Sequence, residues 1–161
     1  MNQYNSRFCK KGFALISTLL FLPLALSVLF VSIQLLFYNK IKNEILQDCL
    51  LLSLDGVEQL SVDSKNFSDL DLKLSLRLQN KFEQLIKPAP LSFFSIALKF
   101  EPFQKPNLNA SQGHIELATN LQFEVYSKNV NFKNFSQTFK CGAFLKWKDS
   151  KKNYGIIAVK Y

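Results

Sequence analysis

The sequence predicts an α+β protein, in which a long N-terminal membrane-anchoring helix continues into a small head with a second helix and an antiparallel sheet. The run from Phe13 to Tyr38 contains no charged residue, and the segment 70–86 is rich in helix-forming residues. After Pro90, apolar and polar residues alternate as they do in strands. The 161 residues suffice for one domain and an anchor, and a hydrophobic content of 48% is typical of a folded protein.

The apolar run is long enough to cross a membrane. As a helix, its 26 residues would span about 39 Å, more than the roughly 30 Å of a bilayer core. A soluble helix of this length would need a polar face, which the run lacks. Arg7, Lys10 and Lys11 precede the run without an acidic residue and favour a cytoplasmic N-terminus, although Lys40 and Lys42 on the far side weaken that argument.

The helix is expected to continue beyond the membrane as part of the head, 39–161. Ile41, Ile45 and Cys49 begin a series of apolar residues spaced by three and four positions. Polar residues fall between them. The pattern therefore predicts one helix that becomes amphipathic as it leaves the bilayer and that ends near Leu60.

The segment 70–86 fits both a strand and a helix. Its leucines at even positions from 70 to 78 alternate as in a strand. Leu70, Leu74 and Leu78 also form a stripe along one side of a helix. β-branched residues are nearly absent, whereas Leu, Lys, Arg, Gln and Glu are helix formers, so we expect a helix.

Five strands are predicted after Pro90, because segments with strand-like patterns are separated by short turn-forming sequences. Strands that follow one another in this way predict an antiparallel meander. The predicted strands are Ser92–Glu101, His114–Ser127, Val130–Lys140, Ala143–Lys148 and Tyr154–Lys160.

The start of the apolar run carries a recognisable motif. The letters KKGFALI, which begin at Lys10, resemble the cleavage motif of type IV prepilins, a short basic leader that ends in Gly before Phe and a long apolar helix. The resemblance covers the leader and the helix only. It implies that a prepilin peptidase removes the leader 1–12 by cleaving after Gly12, and that the new Phe13 amine is methylated. It further implies that the inner-membrane helix 13–38 joins the chain to other pilin-like subunits.

Ser17 departs from the pattern of this family. The fifth residue after the cleavage point is usually Glu, which is thought to neutralise the N-terminal amine of a neighbouring subunit. A carboxylate buried in apolar surroundings is costly unless it is paired. Members that resemble the tip-located minor pseudopilin of type II secretion also lack this Glu. Ser17 therefore implies a minor, initiating or tip subunit, although it also fits a small polar residue that bonds to its own helix backbone.

Two other interpretations of the N-terminus remain open. The run also fits an uncleaved signal anchor. It also fits a secretory signal peptide, because Ala25-Leu26-Ser27 forms a small-x-small site, and cleavage there would expose Val28. Either interpretation makes the protein an envelope binding domain without a role in a filament.

Cleavage after Gly12 would leave two cysteines. Cys9 lies in the leader, whereas Cys49 and Cys141 lie beyond the membrane, where disulfides form. A bond between them would close a loop of about 92 residues, worth about 4–5 kcal/mol in the chain-entropy model. We expect this disulfide, and the alternative is two buried free thiols that pack as small apolar side chains.

The sequence predicts no catalytic site, metal site or cofactor. His114 is the only histidine, so a histidine metal cluster cannot form. The sequence also shows no persuasive pairing of this histidine with a nucleophile. The net charge of +8 comes largely from scattered lysines without a base-stacking motif, which favours a solvated surface over a nucleic-acid partner. We therefore predict a structural subunit and not an enzyme, with the membrane, the prepilin peptidase and other subunits as partners.

Overall fold

The structure is a computed structural model that describes residues 4–62, 67–89, 91, 94–103, 113–128, 133–148 and 151–160. In these residues it contains two helices followed by four strands, which confirms the predicted α+β class. Helix α1 covers Tyr4–Val62 and helix α2 covers Phe67–Ile86. The strands are β1 (Phe94–Phe100), β2 (His114–Ser127), β3 (Lys133–Lys148) and β4 (Lys151–Lys160).

The four strands form one antiparallel sheet in the order β1-β2-β3-β4, as expected for a meander. Between β2 and β3, Thr119 lies opposite Cys141 and Glu124 lies opposite Ser136. This register shifts between Val125 and Tyr126, near the end of β2. Such a shift bends a strand locally, while the rest of the pairing stays regular.

Strand β3 is continuous where the sequence predicted two strands, 130–140 and 143–148. Gly142 lies within β3 and opposite Ala118. A Cβ atom on Gly142 would clash with the backbone oxygen of Leu117 and would lie 2.7 Å from Ala118 Cα. The glycine thus permits a close approach between β2 and β3 instead of ending a strand, and the prediction of a break here was wrong.

Strand β2 separates an apolar face of the sheet from a polar one, because successive side chains point to opposite sides. Its odd-numbered residues from Ile115 to Val125 are buried. The even-numbered residues face the other side and are mostly polar. These polar residues are His114, Glu116, Asn120, Gln122, Glu124 and Tyr126.

The helices cover the apolar face of the sheet. A Cβ atom on Gly56 of α1 would lie 2.6 Å from Leu117 Cδ2 and 3.1 Å from Leu74 Cδ1, so α1, α2 and β2 meet at this glycine. Helix α1 ends at Val62, close to the predicted end at Leu60. The buried residues on the sheet-facing side of α1 include Ile41, Ile45, Cys49, Val57 and Leu60.

Helix α2 resolves the ambiguity of the alternating leucines. Leu70, Leu74 and Leu78 are buried, whereas Leu72 and Leu76 are exposed. A strand would have placed all five on one face, but a helix places residues four positions apart on one side and separates them from those two positions away. The predicted helix is therefore confirmed.

The chain divides into two compact units, Met1–Leu36 and Phe37–Tyr161. The first unit lies N-terminal to the head, and the second contains the end of α1 with α2 and the sheet. Tyr38, the last residue of the predicted span 13–38, belongs to the second unit. There its side chain is buried, and its hydroxyl donates a hydrogen bond of 3.1 Å to Gln137 Oε1.

Candidate functional site

The apolar part of α1 leaves its side chains uncovered. The helical segment Thr18–Ser61 contains an 18-residue window with a mean hydropathy of 2.4, of which only 6% is buried. The helix is therefore long and apolar enough to cross a membrane. Its low burial also distinguishes it from a core helix of a soluble protein, which would be mostly buried. The large exposed apolar residues before Phe37 include Leu19, Leu20, Phe21, Leu22, Leu24, Leu26, Val28, Leu29, Phe30 and Leu36.

Two serines in this part of α1 bond to the helix itself. Ser27 Oγ donates a hydrogen bond of 2.7 Å to the backbone oxygen of Pro23, and Ser32 Oγ donates one of 2.8 Å to that of Val28. Each acceptor lies four residues earlier in the same helix. Neither hydroxyl therefore needs water, and this internal bonding suits a helix surrounded by lipid.

The predicted processing residues, Gly12 and Phe13, and the predicted assembly residue, Ser17, all lie on α1. Their side chains are outside those that the structure describes. The bond between Gly12 and Phe13 is part of the helical backbone, so a peptidase that cleaves it must first open the helix locally. Glycine favours this opening, since it stabilises a helix by about 1 kcal/mol less than alanine does.

The structure brings the two predicted disulfide partners together. Cys49 on α1 and Cys141 on β3 are both fully buried, and both are free thiols in this structure. Cys49 is near enough to Cys141 to raise the pKa of its thiol. Cys141 Sγ also lies 3.6 Å from the backbone oxygen of Leu46, to which it donates. The pair thus connects the helix to the sheet at a position where both elements face the core.

The environment of this pair makes the thiols unreactive. The hydrogen bond with Cys49, together with burial, raises the pKa of the Cys141 thiol. Because the thiolate is the nucleophilic form, a buried thiol with a raised pKa reacts slowly at neutral pH. These features fit a structural pair and do not fit a catalytic cysteine.

The polar face of the sheet holds an ionic cluster that was not predicted from the sequence. The Glu124 side chain is only 3% exposed, with Lys99 Nζ at 2.8 Å from one carboxylate oxygen and Lys133 Nζ at 2.5 Å from the other. The Tyr126 hydroxyl donates to the same carboxylate at 2.5 Å, and Gln122 Nε2 donates to it at 3.3 Å. Side chains from β1, β2 and β3 meet at this carboxylate.

These contacts keep Glu124 ionised. Hydrogen bonds from Lys133, Lys99 and Tyr126 lower the pKa of Glu124 to about 2, although its burial acts in the opposite direction. A general base needs a pKa close to the working pH, so this carboxylate is poorly suited to proton transfer. In the sequence, Glu124 alternates with apolar neighbours, and this pattern places it on the polar face of a strand. Only the strand register reveals that the two lysines reach it.

A second, looser group of polar side chains surrounds Glu116 on the same face. His114 Nε2 lies 3.9 Å and Lys140 Nζ lies 3.8 Å from the carboxylate oxygens of Glu116. The His114 ring is tilted against Phe144, with the ring centroids 5.8 Å apart. Among the residues that the structure describes, no group of three or more His, Cys, Asp or Glu side chains could hold a metal ion.

A small groove of about 200 Å³ lies where the head part of α1 runs beside the end of α2. Its two charged residues, Lys40 and Glu44, lie one helical turn apart, with Nζ and Oε1 separated by 3.9 Å. The remaining lining is apolar, so the groove offers surface for packing but little chemistry. That lining consists of Phe37, Ile41, Leu85, Pro88 and Ala89.

The described residues therefore provide an uncovered apolar helix, a pair of buried thiols and a carboxylate neutralised by two lysines. These features can anchor a chain in a membrane and stabilise its head. Comparison of the chain with protein-family models, with curated proteins and with solved structures finds no match.

Proposed function

We propose that this protein is a minor pilin or pseudopilin subunit of a type IV pilus, type II secretion or DNA-uptake machine. In this proposal the chain is processed after Gly12, α1 crosses the inner membrane once, and the head lies outside the cytoplasm. One observation carries the proposal: the large apolar side chains of α1 are exposed from Leu19 through Leu36, whereas from Tyr38 onward the same helix contributes to the head core. A helix with both roles resembles that of pilin-like subunits.

The N-terminal motif supports the same proposal from the sequence. The basic leader holds the processing site on the cytoplasmic side, and Gly12 makes its backbone accessible. Phe13 then opens the apolar helix through which subunits would pack against each other in the membrane or in a filament. The methylated amine and the partner subunits belong to the proposal and follow from the resemblance of this motif to prepilin leaders.

The subunit is proposed to be minor because Ser17 supplies no negative charge to pair with a neighbour's amine. In the low dielectric of packed helices, such a pair would contribute to assembly, whereas an unpaired charge would oppose it. We therefore expect few copies of this chain in a filament. Quantitative proteomics that found it to be the dominant subunit of a purified filament would contradict this part of the proposal.

No catalytic activity is proposed. Glu124, the buried carboxylate of the head, is already engaged by Lys99 and Lys133. The thiols of Cys49 and Cys141 are fully buried. A structural role needs neither a reactive nucleophile nor a base, and these side chains serve the stability of the head instead.

The test is the mass of the N-terminal peptide of the protein purified from its native membrane, in cells with an active prepilin peptidase. We expect a chain that begins at Phe13 and carries a methyl group. Gly12→Val should leave the full-length precursor in the inner membrane, because a β-branched residue hinders access to the bond. The matched control is Ser27→Leu, which destroys the alternative small-x-small site and should leave the start at Phe13.

Two results would overturn the proposal. A native N-terminus at Val28, lost in the Ser27→Leu variant, would establish a secretory signal peptide. An intact Met1 in the wild-type protein would leave a plain signal anchor. In both cases the protein would be an envelope binding domain, and the filament role would have to be abandoned.

A further inference from the structure

We propose that Cys49 and Cys141 are joined by a disulfide that a thiol oxidant introduces while the head folds, before α1 packs against β3. The proposal goes beyond the filament role and does not depend on it. It requires only that the head folds in an oxidising compartment. Export of the head would provide this compartment whether the chain is a processed pilin-like subunit, an uncleaved signal anchor or a secreted protein. It assigns both the modification and the stage of folding at which the modification occurs.

The geometry supports the bond itself. Cys141 Sγ on β3 lies 3.6 Å from the backbone oxygen of Leu46, three residues before Cys49 on α1, and Cys49 is near enough to raise the pKa of the Cys141 thiol. The two cysteines are far apart in the sequence and belong to different layers of the fold. Each is fully buried. Thiols form only weak hydrogen bonds, so two reduced thiols would stabilise the packing of α1 against the sheet very little. A disulfide would instead link α1 covalently to the centre of the sheet.

The reaction balances with a disulfide-bearing oxidant. The thiolate of one cysteine attacks the oxidant's disulfide, forms a mixed disulfide and releases one thiol of the oxidant. The thiolate of the second cysteine then attacks the protein sulfur of the mixed disulfide and releases the second thiol. The protein thus loses two electrons and two protons, and the oxidant's disulfide is reduced to two thiols.

The burial of both cysteines determines when this can happen. Exchange needs a thiolate and an open approach to its sulfur. In the folded head neither sulfur is accessible, and the raised pKa of Cys141 opposes formation of the thiolate. The exchange must therefore take place while α1 is still separate from β3, because the packed helix and sheet exclude the oxidant.

A head that folds before oxidation should then stay reduced. Its thiols could exchange only after the core opens, and such opening is rare for fully buried core residues. Oxidised and reduced heads would consequently be two folded forms that interconvert slowly. The compartment in which the chain folds, and not the one in which it later resides, decides which form is present.

The first experiment is peptide mapping of the full chain isolated from the cell envelope, denatured with an alkylating reagent and without a reductant. We expect a peptide pair that links Cys49 to Cys141. Cys49→Ala and Cys141→Ala should each abolish it, whereas the matched control Cys9→Ala should not affect it. Alkylation of both cysteines as free thiols in the wild-type protein would overturn the proposal, even if an alanine variant fails to fold.

The second experiment tests the order of events with oxidised glutathione as the oxidant. The chain is reduced and then either refolded in detergent micelles or kept unfolded in denaturant before glutathione is added. We expect the linked species to form at least about tenfold more slowly in the refolded chain, because its thiols are shielded. Equal rates would refute the proposed order. If peptide mapping finds the linked pair in a chain that is not cleaved after Gly12, the disulfide is supported and the proposed filament role is contradicted.

Discussion

Tyr38 Oη donates a hydrogen bond of 3.1 Å to Gln137 Oε1 and thereby connects the head part of α1 to β3. The Tyr38 ring also meets Phe135 edge to face, with ring centroids 5.3 Å apart. Phe135 and Gln137 lie two positions apart and therefore on the same face of β3. One tyrosine thus contributes both a polar and an aromatic contact to the packing of the helix against the sheet.

Removing only the hydroxyl of this tyrosine should weaken the head. Tyr38→Phe retains the ring contact but leaves the oxygen of Gln137 without its donor, so we expect the free energy of unfolding to fall by about 1 kcal/mol. Urea unfolding of the full chain in detergent micelles would measure it. Tyr154→Phe changes a tyrosine that is exposed on β4 and should have a smaller effect. Equal losses in the two variants would argue against a stabilising bond at Tyr38.

Charges placed in the apolar part of α1 should prevent membrane integration. Each arginine near the centre of a spanning helix costs about 2.5–3.5 kcal/mol, so we expect Leu26→Arg combined with Leu29→Arg to release the chain from alkali-washed membranes. The matched control is Leu51→Arg combined with Leu72→Arg in the head. All four leucines are similarly exposed, at 55%, 58%, 54% and 61% in that order. If both pairs behaved alike, the helix would not be a membrane span.

Two glycines with crowded surroundings should differ in their tolerance of alanine. At Gly142 the added methyl group would meet the backbone of Leu117 and Ala118, which cannot move without disturbing the sheet. At Gly56 the nearest atom belongs to the flexible side chain of Leu117, and alanine would gain about 1 kcal/mol of helix propensity. We expect Gly142→Ala to cost about 1–3 kcal/mol of stability and Gly56→Ala clearly less. Unfolding in urea measures both, and the reverse order would contradict this account of the β2–β3 contact.

Acid should weaken the head through Glu124. Because its pKa is about 2 in the folded state, against an ordinary value of 4.5, this carboxylate stabilises the head above the ordinary pKa. That contribution is lost as the pH falls from 4.5, the ordinary pKa, through about 2, the pKa in the folded state. In Glu124→Gln it is absent at every pH. We therefore expect the difference in unfolding temperature between the wild type and Glu124→Gln to shrink as the pH falls across this range.

The matched control for this pH series is Glu116→Gln on the same strand. The Glu116 side chain is 34% exposed and lies 3.8 Å from Lys140, and exposed ion pairs of this kind contribute little to stability. Its removal should change the unfolding temperature less than Glu124→Gln does at neutral pH. A difference between wild type and Glu124→Gln that does not vary with pH would show that the carboxylate acts through packing and not through its charge.

Much of the fold follows from patterns within single segments. The lack of charge between Phe13 and Tyr38 predicts the apolar helix, and the spacing that leads to Cys49 predicts its amphipathic continuation. The helix at 70–86 was also predicted, because residue propensity decides between two periodicities that both fit the leucines. These features depend on residues close together in the chain, which is why the sequence is informative about them.

The features that the sequence did not predict depend on contacts between segments. The predicted break between the strands 130–140 and 143–148 does not occur, because the close approach of Gly142 to Ala118 is identified only by the pairing of β2 with β3. The ion pairs of Lys99 and Lys133 with Glu124 likewise require the register of three strands. The processing at Gly12 and the role of Ser17 remain predictions, because they concern chemistry and assembly outside a single chain.

The order β1-β2-β3-β4 gives every strand a neighbour that is adjacent in the chain. If the head crosses the membrane with α1 first, each hairpin can close as soon as its second strand has emerged, without waiting for the C-terminus. The helix must wait longer, because Cys141, whose sulfur contacts the backbone oxygen of Leu46 on α1, belongs to β3 and would emerge afterwards. During this interval the sheet-facing side of α1 is bare on the far side of the membrane, and this is when a chaperone or an oxidant could reach it.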